Sequence, residues 1–271
     1  MISYAVEESV AVITLARPEA RNAQNDQFLL ELDAAWMRAA DNDDVRVIVV
    51  AAEGPHFSAG HDLKLYHRDA YGGDGTEPNK DLSRAYRWEA ERFFTACRRW
   101  ADVPKPSIAA VHGACIGAGL MLCWPCDLIV AAEDARFSDP VVRLGANGVE
   151  YHAHAWEFGA RKAKELLFTG GFITAEDARA LGMVNRVVPR ERLLEETMAL
   201  AAQIATMDPF GLAQAKRSVN LALDIGGRYA ALQAIFDTHW TTHGRALGVS
   251  GGTTSLMSDL DAIREANRDA G

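Results

Sequence analysis

Two short segments constrain this chain more than any other part of it: Phe57-Ser58-Ala59-Gly60-His61-Asp62-Leu63 and His112-Gly113-Ala114-Cys115-Ile116-Gly117-Ala118-Gly119-Leu120-Met121. Each follows an apolar, β-branched run, Val45 to Val50 in the first case and Ile108 to Val111 in the second, and each opens into a helix-compatible stretch. Each therefore reads as strand, glycine turn, helix start. The first N–H groups of a helix lack intrahelical acceptors and sit at the positive end of its dipole. Two such starts aimed at one point would hold an oxygen on which negative charge develops.

Composition removes several classes of function. The 271 residues are 49% hydrophobic and 24% charged, which suits a globular chain with a substantial core. A net charge of −9 argues against a surface that tracks nucleic-acid phosphates. Met1 to Glu8 lacks both a basic start and a long apolar stretch, and no apolar run approaches membrane-spanning length, so neither a secretory leader nor a membrane anchor is expected. The four cysteines fit a reduced, cytoplasmic setting. Cys123-Trp124-Pro125-Cys126 has redox-dithiol spacing, but it follows the Gly117-Ala118-Gly119 turn rather than opening a helix after a strand, so buried packing is the preferred reading. No second Cys pair or Cys/His spacing supports zinc, and no metal is expected. Gly113, Gly117 and Gly119 lack the dinucleotide-binding spacing and its later acidic residue.

Along the chain, residues 3 to 7 and 10 to 15 predict an opening β-hairpin, and Asn25 or Asp26 can cap a helix that buries Phe28, Leu29, Leu32 and Trp36. Asp69 to Asp81 reads as a polar excursion, and Arg84 to Trp100 as a helix. From Glu191 onward the pattern is helical, over Leu193 to Met207, Leu212 to Leu223 and Tyr229 to His239. That switch divides the chain into a core of residues 1–195 and a helical region of residues 196–271.

The two glycine-turn segments at their separation, together with Arg17-Pro18-Glu19-Ala20-Arg21-Asn22-Ala23, Cys126-Asp127 and the block from Ala178 to Val188, resemble the crotonase (enoyl-CoA hydratase/isomerase) superfamily. The resemblance implies an α/β fold, a spiral of repeated ββα turns with a helical C-terminal trimerisation region, and hence a homotrimer or dimer of trimers. It implies an acyl-CoA thioester as substrate, with coenzyme A part of that substrate and no separate cofactor. The N–H groups of His61 and Ala118 would polarise the thioester carbonyl. Arg21 and Ala23 would contact the substrate from the first turn, Ala59, Gly60, Asp62 and Leu63 from around His61, and Gly117, Met121 and Val141 from the second segment and beyond it.

The resemblance also marks two losses. Met121 and Val141 occupy the positions matched by the two glutamates of the family's hydratases, and neither can activate water or deliver a proton. Leu260 to Asn267 replaces a basic, aromatic C-terminal helix that often contacts CoA. Against these losses stands Gly148-Val149-Glu150-Tyr151-His152-Ala153-His154-Ala155-Trp156, where the family usually carries a glycine-rich turn. Glu150 is a candidate acid/base, with its pKa raised by apolar surroundings if it acts so, and His152 a candidate beside it. His152 and His154 could instead form a metal pair or a packing feature. Ser-Ala-Gly-His-Asp resembles methylmalonyl-CoA decarboxylases of the superfamily, in which the histidine meets the substrate carboxylate. The expected reaction is therefore isomerisation, decarboxylation or hydrolysis, a lyase or isomerase chemistry rather than competent hydration. The rival is a non-catalytic acyl-CoA-binding protein.

Overall fold

The first two strands are short because Glu8, with a φ of 53°, turns the chain back on itself. β1 (Ile2–Glu7) pairs antiparallel with β2 (Val10–Leu15), with Glu7 opposite Val10. The computed structural model describes residues 1–66 and 82–250. The expectations placed on Asp69 to Asp81 and on Leu260 to Asn267 lie outside the described residues.

Every later neighbour in the main sheet is parallel. β2 pairs with β3 (Val47–Ala52), β3 with β4 (Ser107–Val111), β4 with β6 (Leu128–Ala132) and β6 with β9 (Arg186–Val188). β3 and β4 are nearly all buried, as continuous apolar runs in a sheet covered on both faces should be. A second, smaller sheet holds β5 (Ala114–Ile116), β7 (Arg136–Ser138) and β8 (Ile173–Thr174). The chain thus steps from β4 to β5, back to β6 and out again to β7, and this alternation winds it into a spiral.

Helices cover the sheet. α1 (Asp26–Asp41) starts where Asn25 accepts the Phe28 N–H at 2.9 Å, and it buries Phe28, Leu29, Leu32 and Trp36. Trp36 stacks on Trp100 with ring centroids 5.9 Å apart. Trp100 lies on a long helical stretch in which α2 (Leu82–Glu89) passes through a π-helical segment, Ala90–Thr95, into α3 (Ala96–Ala101). The Gly117–Gly119 turn is a single 3₁₀ turn leading into α4 (Leu120–Cys123). α5 (His154–Thr169) is interrupted at Gly159, and the short α6 (Ala175–Ala180) is capped by Thr174.

α7 (Leu193–Ala205) spans the division expected near residue 195, and its Leu193 and Ala201 pack with Val47, Val49, Ile108 and Val130 of the main sheet. α8 (Pro209–Ile225) buries no residue, whereas α9 (Arg228–Ser250) folds back over α2. Tyr86 Oη donates to Asp237 Oδ1 at 2.8 Å, and the Phe236 ring lies 5.3 Å from that of Tyr86 and 5.4 Å from that of Phe94. Leu232 and Phe236 are buried because α9 docks on the core of its own chain. Among the described residues, no helix is long and apolar enough to cross a membrane. All four cysteines are free and buried, and burial pushes the Cys123 and Cys126 thiols up, away from the thiolate form that redox exchange needs.

Candidate active site

The two glycine-turn segments meet. Ser58 N donates to Ala114 O at 3.1 Å, and Ile116 N donates to Ser58 O at 3.0 Å, so the first segment meets β5 in a single parallel bridge between Ser58 and Cys115. Gly60, with a φ of +87°, fits against that neighbour without room for a side chain: a Cβ there would lie 2.7 Å from Ile116 O and 3.1 Å from Ala118 N. Gln24 ties both segments together. Its N–H donates to Gly60 O at 2.8 Å, its carbonyl accepts Asp62 N–H at 2.8 Å, and its side-chain Nε2 donates to Ala118 O at 2.9 Å. Among the described residues, neither the His61 nor the Ala118 N–H donates to a partner within the chain. The helix starts predicted from sequence are short here, a turn over 62–66 and the three-residue 3₁₀ turn before the four-residue α4, so the two N–H groups have no long helix dipole behind them.

The first turn is stitched to the same place. Asn22, fully buried with a φ of 52°, donates from Nδ2 to Glu53 O and His56 O, and its own carbonyl accepts the Ser58 hydroxyl at 2.8 Å. Ala59 N donates to Arg21 O at 2.9 Å. Arg21 itself is exposed, Ala23 is half-buried, and Ala23 O accepts from Arg17 Nη1 at 2.8 Å. Arg17 also pairs with Asp62 at 2.8 Å, while Leu63 is exposed. Arg21 leaves a trace in the pKa of His56, which is lowered by burial and then by the Arg21 and Arg190 charges.

The loop ahead of α5 brings Glu150 to His61. Glu150 Oε1 accepts from His61 Nε2 at 2.9 Å across 89 positions of sequence, with the carboxyl almost wholly buried. Burial alone would raise the Glu150 pKa, but the His61 ring beside it outweighs burial and holds the carboxyl well below the usual carboxylate range. This corrects the expectation of a raised pKa: the surroundings are not merely apolar, because they contain a basic partner. An ionised Glu150 is an acceptor only, so Nε2 carries the proton and the ring's other nitrogen, Nδ1, is buried without a hydrogen-bond partner. The ring is clamped by Phe93 and Tyr66, with centroids 4.5 Å and 5.4 Å away.

Asp139, fully buried, anchors the loop by accepting the Val149 N–H at 3.0 Å and the Val141 N–H at 3.3 Å, and His154 Nε2 lies 2.8 Å from its Oδ2. His152 packs on His154 with centroids 4.2 Å apart, and burial followed by the neighbouring His154 lowers its pKa to about 4. His152 therefore sits with the loop's anchor as a neutral ring. Met121 is buried under the loop, where its sulfur accepts the Tyr151 N–H at 3.3 Å. Val141 Cγ1 lies 3.8 Å from where a Cβ on Gly117 would be.

Sequence reasoning missed a second buried acid. Glu89 at the end of α2 is fully buried, with His239 Nε2 at 3.9 Å and His243 Nε2 at 3.6 Å, both from α9. Burial, then the nearby charge of Glu150, raises the Glu89 carboxyl well above its usual range. The two carboxyls are thus pushed in opposite directions. The available signal was the His239-x-x-x-His243 spacing on one helix face, but its partner lies 150 positions earlier.

Comparison with known proteins then decides the family, since the enoyl-CoA hydratase/isomerase profile matches residues 5–242. The chain belongs to the enoyl-CoA hydratase/isomerase family. Its fold is the crotonase fold. It is similar to a Mycobacterium thermoresistibile crystal structure described as a probable enoyl-CoA hydratase, at 58% identity and a TM-score of 0.85, covering 92% of this chain and 98% of that one. A Mycobacterium smegmatis structure described in the same words is 56% identical with a TM-score of 0.87, covering 94% and 98%. EchA13 of Mycobacterium tuberculosis is 44% identical over 257 residues, which is 91% of this chain and 81% of that protein.

Proposed function

We propose that this family member binds an acyl-CoA thioester, stabilises its enolate with the N–H groups of His61 and Ala118, and moves a proton on the acyl chain through the His61–Glu150 pair. One observation carries the reading: the residue that offers a backbone donor also presents an imidazole held by a buried carboxylate at 2.9 Å. In this reading His61 Nδ1 takes a proton from the α- or γ-carbon and the electron pair moves to the thioester oxygen. The enolate is held by the two N–H donors until the proton returns at the other carbon. Glu150 fixes the ring's tautomer and offsets the imidazolium charge while the proton is held. The net change is isomerisation of a double bond or exchange of the proton with solvent. Coenzyme A enters and leaves as part of the substrate, and no further cofactor takes part in this step.

The ionised Glu150 also separates this reading from decarboxylation. A substrate carboxylate brought to His61 would meet a second anion 2.9 Å behind the ring, a costly arrangement at low dielectric. Met121 and Val141 leave hydration without its two acids. Glu150→Gln keeps an acceptor for Nε2–H but removes the charge. Exchange of solvent deuterium into a bound acyl-CoA, read by mass spectrometry, should fall by about 10² or more, with affinity held within a few-fold. Unchanged exchange in the variant would refute the role of the pair. Absence of exchange by the wild-type protein with every CoA ester it binds would leave the binding-protein reading.

The exposed apolar residues of α8 support association between copies, and the family resemblance supplies the number three. Phe210 (72% exposed), Leu221 (47%) and Ile225 (86%) leave an apolar strip on one side of α8 uncovered in the single chain. A homotrimer or dimer of trimers is the expected result of light scattering at micromolar concentration. A monomer would refute it.

A further inference from the structure

Glu89, His239 and His243 form a cluster that the proton-transfer reading does not use. The three ligand atoms lie within 4.8 Å of one another, and all three residues are buried. Both Glu89 oxygens and His239 Nε2 are buried without a partner at hydrogen-bond distance and angle, although the Trp240 indole N–H lies close enough to the Glu89 carboxyl to favour its charged form. The tautomer of His239 sharpens the problem. Its Nδ1 donates to Asn147 Oδ1 at 3.0 Å, so Nε2 presents a lone pair, and that lone pair faces carboxyl oxygens 3.9 Å away. A proton on the carboxyl does not close the gap, because 3.6 and 3.9 Å are beyond hydrogen-bond length. A cation does: ligand bonds of about 2.0–2.2 Å to a tetrahedral ion place donor atoms roughly 3.3 Å apart, a contraction of about 0.3 to 0.6 Å in the two Glu–His separations.

We propose that Glu89, His239 and His243 are the ligands of a divalent transition-metal ion of zinc type. The donor set suits that ion: two imidazoles at i and i+4 on one helix and one carboxylate from a facing helix, a His₂Glu arrangement that leaves a fourth position open. Asn147 supplies the outer hydrogen bond by which ligating histidines are commonly oriented. Glu89 is also the last residue before the π-helical Ala90–Thr95, a local geometry frequent at functional sites. The site rests on this cluster alone and not on the enolate reading.

The test is metal content rather than turnover. Tag-free protein expressed with zinc, then dialysed, should hold about one ion per chain by elemental mass spectrometry. Replacement by Co²⁺ should give the visible absorption of a four-coordinate N/O site. Glu89→Gln and His243→Asn should each bring the ratio close to zero while circular dichroism stays native. Asn147→Ala, which removes no ligand, should weaken affinity by about 10- to 100-fold. Wild-type protein that takes up no ion at stoichiometry when titrated with Zn²⁺, or variants that bind as much and as tightly as wild type, would overturn the site. If a variant fails to fold, the Co²⁺ spectrum of the wild type decides: the weak absorption of a six-coordinate ion would also overturn it.

Discussion

Crotonyl-CoA should be hydrated by this protein at least two to four orders of magnitude more slowly than by a competent hydratase. Hydration needs one group to draw a proton from water and another to deliver one to the α-carbon, each worth about 10² to 10⁴ in rate. The two positions that the family resemblance assigns to those groups hold a thioether and an alkyl side chain. Met121 is buried, with its sulfur engaged by the Tyr151 N–H, so no rotation of that residue brings in an acid. On the proposed reading the His61–Glu150 pair, in contact at 2.9 Å, supplies one proton-transfer group and leaves the second unmatched. The measurement is loss of the conjugated thioester absorbance, in protein purified from a host whose own hydratases are deleted. Ordinary hydratase turnover in that preparation would contradict the assignment of Met121 and Val141.

Ala118→Pro should cost about 10² to 10³ in the rate of deuterium exchange into a bound acyl-CoA. The substitution deletes the N–H itself, and a helix's first turn tolerates proline because its N–H groups have no internal acceptors. Gly117, already at a φ of 54°, gives the preceding residue the freedom that proline would otherwise restrict. Since Gly60 packs at this nitrogen, the variant's thermal unfolding must be compared with wild type before its rate is read. A folded variant with undiminished exchange would remove Ala118 from the proposed pair of donors.

The Glu150–His61 contact also sets a pH dependence of stability. A carboxyl whose folded pKa is depressed contributes stability above its unfolded pKa, near 4.3, and that contribution is lost as pH falls through the folded value. The stability gap between wild type and Glu150→Gln should therefore be full at neutral pH and shrink below about pH 4.

Where the sequence was explicit, local chemistry carried the information. The Asn25 cap, the apolar face of Phe28, Leu29, Leu32 and Trp36, and the buried runs of β3 and β4 all follow from periodicity and capping within a few residues. β3 begins at Val47 rather than Val45 because Val45 N closes a turn on Asn42 O. The site was legible in part. His61, Ala118 and Glu150 could each be singled out, but the sign of the Glu150 shift depends on a partner 89 residues away that no local pattern reveals. Glu89 was harder still: on α2 it looks like one more charge on a solvated helix, and only the docking of Phe236 and the rest of α9 buries it.

That docking has a genetic corollary. His61 and Glu150 meet within one polypeptide, and α9 of the same polypeptide brings His239 and His243 to Glu89. In an assembly of mixed copies, a subunit altered at His61 or Glu150 would, on the proposed reading, lose its own proton transfer and leave its neighbours working. Such alleles would behave as recessive, with activity in proportion to the share of intact copies.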